Sequence, residues 1–300
     1  MKLFKYRKRI CLALVPLLLL ANPAITAKAV NDSHLETTTA YDYESQNLET
    51  GEKEYYSVPM ALGLSDGGYS EGYFPQTGIQ NHSIIGEDNR QHITDTSFAP
   101  WSCIALLEST FADGSVSYGT AFMYWSDIAL TAGHTVYKPS KGYATSITIW
   151  PGRLSANNAP YGSAAVKTIH ISTQYKNYQS TSEDYAVLEL DSNIGDTVGY
   201  FGTTWRSDGY TNQTAFISGY PGDKLKQQWI ATGTISRSDL YMLYYNIDTM
   251  LGDSGAPIIW NASYGHTVIG IHTRGIGTST ANSGVRITES LFNWFQSFRD

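Results

Sequence analysis

The sequence has only two cysteines among its 300 residues, and their positions limit the chemistry that the chain can carry. Cys11 lies in a stretch that we expect to be removed on export, so the secreted product would keep Cys103 alone. A single cysteine can form neither an intramolecular disulfide nor a chelating CxxC pair. Cys103 follows Trp101 in an apolar stretch, which favours a buried structural thiol over a reactive one.

Charge is also scarce: charged residues make up 16% of the chain, and the formal net charge is −7. No basic stripe is present, which argues against a nucleic-acid partner. The sequence has no HExxH motif and its 7 histidines are dispersed, so a metal-dependent hydrolase has little support, and we expect no cofactor and no catalytic metal. A structural calcium ion on a loop stays compatible with the sequence.

The first 29 residues have the pattern of an export signal. Positive residues crowd the first nine positions, an apolar run extends from Ile10 to Ala21, and Ala27-Lys-Ala29 supplies small residues around a cut. The run is well short of the roughly 20 residues that a membrane-spanning helix needs. The pattern therefore predicts a signal peptide over residues 1–29, a secreted extracellular product, and no membrane association after its removal.

Residues 30–82 form an acidic segment with nine aspartates and glutamates against one lysine. Its few aliphatic residues are scattered without a period of 2 or 3.6, so it cannot bury much surface by itself. Such a segment is either a disordered linker or a propeptide that is removed on maturation. Composition alone does not separate the two.

From residue 83 onward the pattern is all-β. Short runs rich in β-branched and aromatic residues alternate with turn signals, which is typical of barrels and sandwiches and not of βαβ units. The runs begin at Ser102, Gly119, Ser146, Tyr185, Thr214, Tyr241, Pro257 and Val268. One helix is predicted at the end of the chain, where Thr288 can cap it and Leu291, Phe295 and Phe298 share a face.

Three short motifs suggest a nucleophilic serine. Gly252-Asp-Ser254-Gly places a serine on a tight turn, Leu130-Thr-Ala-Gly-His134 ends an apolar run with a histidine, and Asp184 opens another apolar run. Each motif alone has an ordinary structural explanation. Together they supply the nucleophile, the base and the orienting acid that acyl transfer needs, in the order His, Asp, Ser of the chymotrypsin class. Ala256 breaks the Gly-x-Ser-x-Gly elbow of the α/β-hydrolases.

Residues 83–300 resemble the secreted glutamyl endopeptidases of Gram-positive bacteria, the Bacillus and staphylococcal V8-type branch of the chymotrypsin-like serine proteases. Besides the three motifs, the stretches that carry the resemblance are Ser83-Ile-Ile-Gly, Ile93-Thr-Asp-Thr, Pro151-Gly-Arg, Asp196-Thr-Val-Gly-Tyr-Phe-Gly, Ile217-Ser-Gly-Tyr-Pro-Gly-Asp-Lys, Asp248-Thr249 and Gly270-Ile-His272-Thr.

The resemblance implies two six-stranded antiparallel β-barrels with the site between them. The N-terminal barrel would take about residues 83–200, the C-terminal barrel residues 201–287, and the helix residues 288–300. In such a protease His134 is the general base and acid, Asp184 orients it, Ser254 is the nucleophile, and the Gly252 and Ser254 amides form the oxyanion hole. We expect a monomer that acts on protein or peptide substrates.

Two interpretations of the specificity pocket compete. Asp248 lies six residues before the serine, where trypsin-like enzymes keep the carboxylate that binds Lys or Arg, but glutamyl endopeptidases also carry an aspartate there. His272 discriminates better, because an imidazole can donate a hydrogen bond to a substrate carboxylate. The resemblance implies a pocket of His272, Thr249 and the terminal amine of Ser83, and so cleavage after Glu, with Asp a poorer substrate. Arg274 has no counterpart in the family pattern and either adds a second cation or faces water.

A pocket that needs the amine of Ser83 implies a zymogen. The bond to be cut follows His82 and is not preceded by glutamate, so a second, activating protease is expected at His82-Ser83. Asp253 offers an alternative partner for the amine, as in trypsin-like enzymes, although the pocket is the favoured position. Three other hypotheses stay open, namely basic P1 specificity, a narrow specificity like that of the exfoliative toxins, and a binding protein that has kept the fold without the activity.

Overall fold

Two closed sheets account for most of the computed structural model, which describes residues 42–58, 67–70, 90–224, 226–262, 265–275 and 281–299. Its strands are β1 (Tyr43–Asn47), β2 (Lys53–Tyr56), β3 (Gly67–Tyr69), β4 (Gln91–His92), β5 (Ile104–Phe111), β6 (Val116–Met123), β7 (Ile128–Thr131), β8 (Tyr137–Lys138), β9 (Gly142–Pro151), β10 (Ala164–Ser172), β11 (Ala186–Leu190), β12 (Gly202–Arg206), β13 (Thr214–Gly219), β14 (Trp229–Ser238), β15 (Met242–Tyr245), β16 (Pro257–Ala262), β17 (Gly265–Arg274) and β18 (Asn282–Arg286).

The helices are short except for the last one. They are α1 (Gly133–Val136), α2 (Thr173–Tyr178), α3 (Gly195–Val198) and α4 (Glu289–Gln296), with single 3-10 turns at Trp101–Cys103, Thr181–Glu183 and Gly222–Lys224. No helix in the described ranges is long and apolar enough to cross a membrane.

The first sheet closes into a six-stranded barrel. Its order is β10-β11-β7-β6-β5-β9, and β9 pairs back with β10 through Ala164↔Ile149. All of these pairings are antiparallel. The second barrel has the order β16-β13-β14-β15-β18-β17 and closes through an antiparallel β16–β17 pairing. The expected chymotrypsin-like class, two antiparallel six-stranded barrels with a C-terminal helix, is therefore confirmed.

Apolar side chains fill each barrel. The first core includes fully buried Leu106, Phe122, Leu130 and Leu188, and the second includes Ile217, Ile235, Ile258 and Ile269. Cys103 lies in the first core, where burial raises the pKa of its thiol and the Val198 carbonyl accepts its hydrogen bond at 3.2 Å, so the expected structural role is confirmed.

The C-terminal helix begins at the predicted cap. Thr288 has extended backbone angles, and its hydroxyl accepts a hydrogen bond from the Leu291 amide at 3.2 Å. Trp294 and Phe295 are fully buried against the first core. Their rings contact Tyr185 at centroid distances of 5.4 and 6.3 Å, so α4 packs beside the strand that follows Asp184.

The acidic segment contains strands that its sequence pattern does not predict. β1 and β2 form a hairpin on the edge of β10, and β3 pairs antiparallel with β12. These strands belong to one compact unit with both barrels, which runs from Ala40 to Asp300. Local composition could not indicate β1 and β3, because their partner strands β10 and β12 lie more than a hundred residues along the chain.

Candidate active site

His134 and Asp184 are joined by two hydrogen bonds. His134 is in α1, directly after β7, and Asp184 follows the 3-10 turn that leads into β11. One carboxylate oxygen, Oδ1, accepts from the His134 backbone amide at 2.9 Å, and the other, Oδ2, lies 2.9 Å from Nδ1 of the ring. Asp184 is 2% exposed, whereas the ring of His134 is partly open to solvent. A proton on Nδ1 leaves Nε2 as the basic nitrogen.

Glycine at position 133 makes this approach possible. A Cβ atom there would lie 3.3 Å from the Asp184 carboxylate and 2.9 Å from the ring of Tyr175. The sequence Ala132-Gly-His134 therefore lets the backbone come close to the acid that holds the ring.

Ser254 lies on a turn whose backbone at positions 252 and 255 favours glycine. Gly252 and Gly255 have φ angles of 107° and 92°, in the region that side chains disfavour. A Cβ atom at Gly252 would meet the Tyr220 carbonyl at 2.4 Å, and one at Gly255 would meet the Thr120 carbonyl at 2.1 Å. The turn therefore packs against β6 and against Tyr220, the residue after β13, and Ser254 is half-buried.

The backbone of this turn leaves two donors available. Asp253 and Ala256 donate their amides within the turn, and Gly255 donates to the His272 carbonyl at 2.7 Å. Within the described ranges, the amides of Gly252 and Ser254 have no acceptor. Two free amides at a serine turn can stabilise a negatively charged oxygen.

The serine turn and the His134 segment lie side by side. The Ser254 carbonyl accepts from the Thr120 amide at 2.8 Å, and Thr120 accepts at its own carbonyl from the Thr131 hydroxyl at 2.7 Å. A Cβ atom at Gly119 would be 3.0 Å from Thr135 and 3.2 Å from the Ser254 carbonyl. Strand β6 therefore brings together the chain neighbours of Ser254 and of His134.

His272 is buried on β17 beside a tyrosine. It is 2% exposed, and its Nδ1 lies 2.5 Å from the hydroxyl of Tyr245, which is fully buried on β15. Burial, and secondly the charge of His134, lowers the pKa of His272 to about 3. The imidazole is therefore neutral near pH 7, with one nitrogen that donates and one that accepts.

Thr249 supplies another buried polar atom, and this one has no partner among the described residues. Its Oγ1 is buried and makes no hydrogen bond among the described residues. A buried hydroxyl without a partner is costly, which makes it a good candidate to bind a substrate group.

The other sequence candidates have different surroundings. Asp248 is exposed, as is Arg274 at the end of β17. Asp253 is buried, its Oδ2 accepts from the Met250 amide at 2.9 Å, and burial raises its pKa to about 7. Ser83 lies outside the described residues, so its place in the pocket stays a prediction.

Sequence reasoning missed Tyr245. A tyrosine in an apolar strand is most simply a core residue, and only the pairing of β15 and β17 with β18 brings its hydroxyl to His272. Residue alternation in β15 could have indicated its inward direction, since Tyr244 is half-exposed and Tyr245 is buried.

No group of three or more His, Cys, Asp or Glu side chains that could hold a metal occurs in the part of the chain that the structure describes.

Comparison with known proteins gives a consistent result. The family model described as Trypsin matches residues 89–295. A glutamyl endopeptidase of Bacillus licheniformis is 36% identical over 72% of this chain and 70% of that protein. A Bacillus subtilis protein named extracellular metalloprotease is 31% identical over 98% of this chain and 95% of that protein. A glutamyl endopeptidase of Staphylococcus epidermidis is 27% identical over 88% of each.

Solved structures agree with the sequence matches. A Glu endopeptidase structure aligns with a TM-score of 0.62 and 32% identity, covering 72% of this chain and 98% of that one. The protease Anisep of Arthrobacter nicotinovorans aligns with a TM-score of 0.57 at 20% identity, which supports the fold alone. On its two barrels and on these matches, the chain belongs to the trypsin family of chymotrypsin-like serine proteases, with bacterial glutamyl endopeptidases among its relatives.

Proposed function

We propose that this serine protease is secreted as a zymogen and hydrolyses peptide bonds after glutamate, with aspartate a poorer P1 residue. The observation that carries the specificity is neutral, buried His272, whose backbone carbonyl accepts a hydrogen bond from the residue after Ser254. A donor for a carboxylate is thereby fixed next to the nucleophile.

Catalysis follows from the two hydrogen bonds between Asp184 and His134. With Nδ1 committed to Asp184, Nε2 takes the proton from Ser254 as its Oγ attacks the scissile carbonyl. The amides of Gly252 and Ser254 donate to the oxyanion that forms. His134 then gives the proton to the leaving amine. In the second half of the reaction water attacks the acyl-enzyme, His134 takes the proton from that water, and the proton passes back to the Ser254 oxygen as it leaves.

Substrate selection follows from the neutral state of His272. If the Tyr245 hydroxyl donates to Nδ1, the ring carries its proton on Nε2, which can donate to a glutamate side chain. The Thr249 hydroxyl, buried and without a partner, supplies a second donor. Exposed Asp248 is poorly placed to neutralise a buried lysine or arginine, which disfavours basic P1 specificity.

Maturation is part of the proposal. Residues 1–29 would direct export, a second protease would cut after His82, and the new Ser83 amine would complete the pocket. Buried Asp253 is the competing partner, because it has no ion pair among the described residues. Asp253→Asn separates the two arrangements: little change in kcat/KM supports the amine in the pocket, and loss of activity at every P1 residue supports the Asp253 pair.

The relatives named glutamyl endopeptidase support the specificity. The decisive experiment compares peptides that differ only in P1, with Glu, Asp, Lys and Phe. We expect the order Glu, then Asp, with Lys and Phe far lower. Preference for Lys would reverse the assignment.

The nucleophile is tested separately. Ser254→Ala should lower kcat by roughly 10^4-fold or more, because the triad acts as a unit. A matched control is Ser117→Ala on β6, outside the serine turn. Near-full peptidase activity in Ser254→Ala would overturn the assignment.

A further inference from the structure

The acidic segment adds a hairpin to the first barrel. β1 pairs antiparallel with β10 from Tyr43↔Ser172 to Asn47↔Thr168, and β2 pairs with the outer side of β1. The ladder is extended at both ends, where Leu48 donates to the Lys167 carbonyl at 2.7 Å and Thr173 donates to the Asp42 carbonyl at 2.9 Å. The hairpin therefore completes the hydrogen bonding of an edge that the barrel leaves open.

A buried ion pair holds the hairpin to the body. Glu44 is 0% exposed, accepts from Lys176 of α2 and from the Tyr143 hydroxyl at 3.2 Å, and lies 3.2 Å from Nζ of Lys53. Burial acts to raise the pKa of Glu44, but the bonds from Lys176 and Lys53 outweigh it and leave the pKa below its ordinary value. Without Glu44, Lys176 would lose this carboxylate partner.

Aromatic contacts connect the same hairpin to α4. The ring of Tyr43 stacks on Trp294 at a centroid distance of 4.1 Å and an interplanar angle of 6°. The Tyr56 hydroxyl lies 2.9 Å from Nδ1 of His170, whose Nε2 is 3.0 Å from Glu189. Loss of the hairpin would uncover the face of Trp294 and the edge of β10 together.

Overall charge does not explain this docking. Residues 30–82 carry nine acidic residues and one lysine, and residues 83–300 carry eighteen acidic residues and thirteen basic ones. Both partners are negative, so long-range electrostatics opposes their association. The attachment of the hairpin depends on local features, namely the backbone ladder, the Glu44 site and the Tyr43 stack, and β3 adds a separate pairing with β12.

We propose that the protease body carries a strand-addition site for this hairpin, and that the cut leader stays bound there as a separate chain after maturation. The proposal rests on the maturation cut proposed above. The site consists of the β10 edge, Lys176 and Trp294, and its ligand is the acidic β-hairpin of residues 42–58.

The test uses the full chain with Ser254→Ala, which prevents self-digestion. Residues 77–82 are replaced by the recognition sequence of a site-specific protease, so that cutting leaves Ser83 as the new terminus. After cutting, the protein is separated by size-exclusion chromatography at ~10 μM. The chains in each peak are then identified by their masses, measured by mass spectrometry under denaturing conditions. We expect the leader and body in one peak in equal amounts, also in 1 M salt, where the Debye length is only about 3 Å. A body peak without the leader overturns the proposal.

Matched variants test the contacts. Glu44→Gln removes the buried charge and should raise the Kd of the leader fragment at least tenfold, whereas Glu54→Gln, an exposed position on the same hairpin, should leave the Kd unchanged. Lys176→Met tests the same pair from the body side if Glu44→Gln fails to fold. Equal Kd values for Glu44→Gln and Glu54→Gln contradict the assigned site. Because the readout is binding by an inactive variant, failure here is distinguishable from failure of the glutamyl specificity.

Discussion

Tyr245 determines how His272 can interact with a ligand. A hydroxyl lies 2.5 Å from Nδ1, with Tyr245 fully buried and His272 2% exposed, so the direction of this hydrogen bond determines which ring nitrogen carries the proton. If the tyrosine donates, Nε2–H remains for the substrate, and a neutral ring recognises a carboxylate without a buried charge in the free enzyme. Under the proposed specificity, Tyr245 is a positioning residue that acts on the substrate through His272.

Tyr245→Phe should lower kcat/KM for Glu at P1 by roughly 5- to 10-fold, because one hydrogen bond is worth about 1 kcal/mol and the tautomer is no longer fixed. The kcat/KM for a Phe P1 peptide should change little. The control is Tyr244→Phe, the half-exposed neighbour whose ring lies over Arg237. An equal loss for both P1 residues would instead indicate general damage to the fold.

Asp253 gives stability a pH dependence of unusual sign. Its folded pKa of about 7 lies above its ordinary value of 3.8, so the folded chain binds more protons than the unfolded chain between these values. The free energy of unfolding should therefore fall as pH rises from about 4 to 7, by up to about 4 kcal/mol from this group.

The measurement is urea unfolding of the uncut Ser254→Ala chain at several pH values, with and without Asp253→Asn. We expect the unfolding free energy of the chain with Asp253 to fall relative to that of the Asp253→Asn chain as pH rises through this window. Above pH 8 the difference between the two chains should be constant. Parallel curves across pH 4–8 would show that Asp253 does not titrate in this range.

At the scale of elements, the C-terminal helix combines a cap with a buried face. Thr288 satisfies the Leu291 amide, while Trp294 and Phe295 are fully buried. Thr288→Ala should therefore reduce the free energy of unfolding by about 1 kcal/mol without loss of the helix. Urea midpoints measure this, and Ser290→Ala, at an exposed position in the first turn, is the control. The same loss in both variants would refute a capping role.

The elements differ in how far sequence predicts them. α4 and the strands next to the expected triad follow from local signals, since apolar runs and the Thr288 cap are present in the residues themselves. β1 shows the opposite case, because its three buried residues, Glu44, Ser45 and Gln46, are all polar. Their burial depends on β10 and on Lys176, so no local pattern predicts it. Tyr245 was missed for a related reason, since its role depends on a partner 27 residues away.

At the scale of the whole molecule, the proposed recognition of glutamate opposes the overall charge of the protein. Residues 83–300 have five more acidic than basic residues. This surface repels an acidic substrate at long range, whereas His272 and Thr249 act only at contact. Buried contacts are screened little by salt, while the surface repulsion is screened strongly.

Two peptides with Glu at P1 should therefore respond differently to salt. For a peptide with several acidic flanking residues, kcat/KM should rise roughly 2- to 5-fold as salt increases from about 0.01 M, where the Debye length is about 30 Å, to about 0.1 M, where it is about 10 Å. For a peptide with neutral flanks, kcat/KM should stay nearly constant, because its P1 glutamate is recognised by buried groups. A decrease with salt for either peptide would mean that a positive surface near the site attracts the substrate, and the preference for glutamate would then be partly a long-range effect.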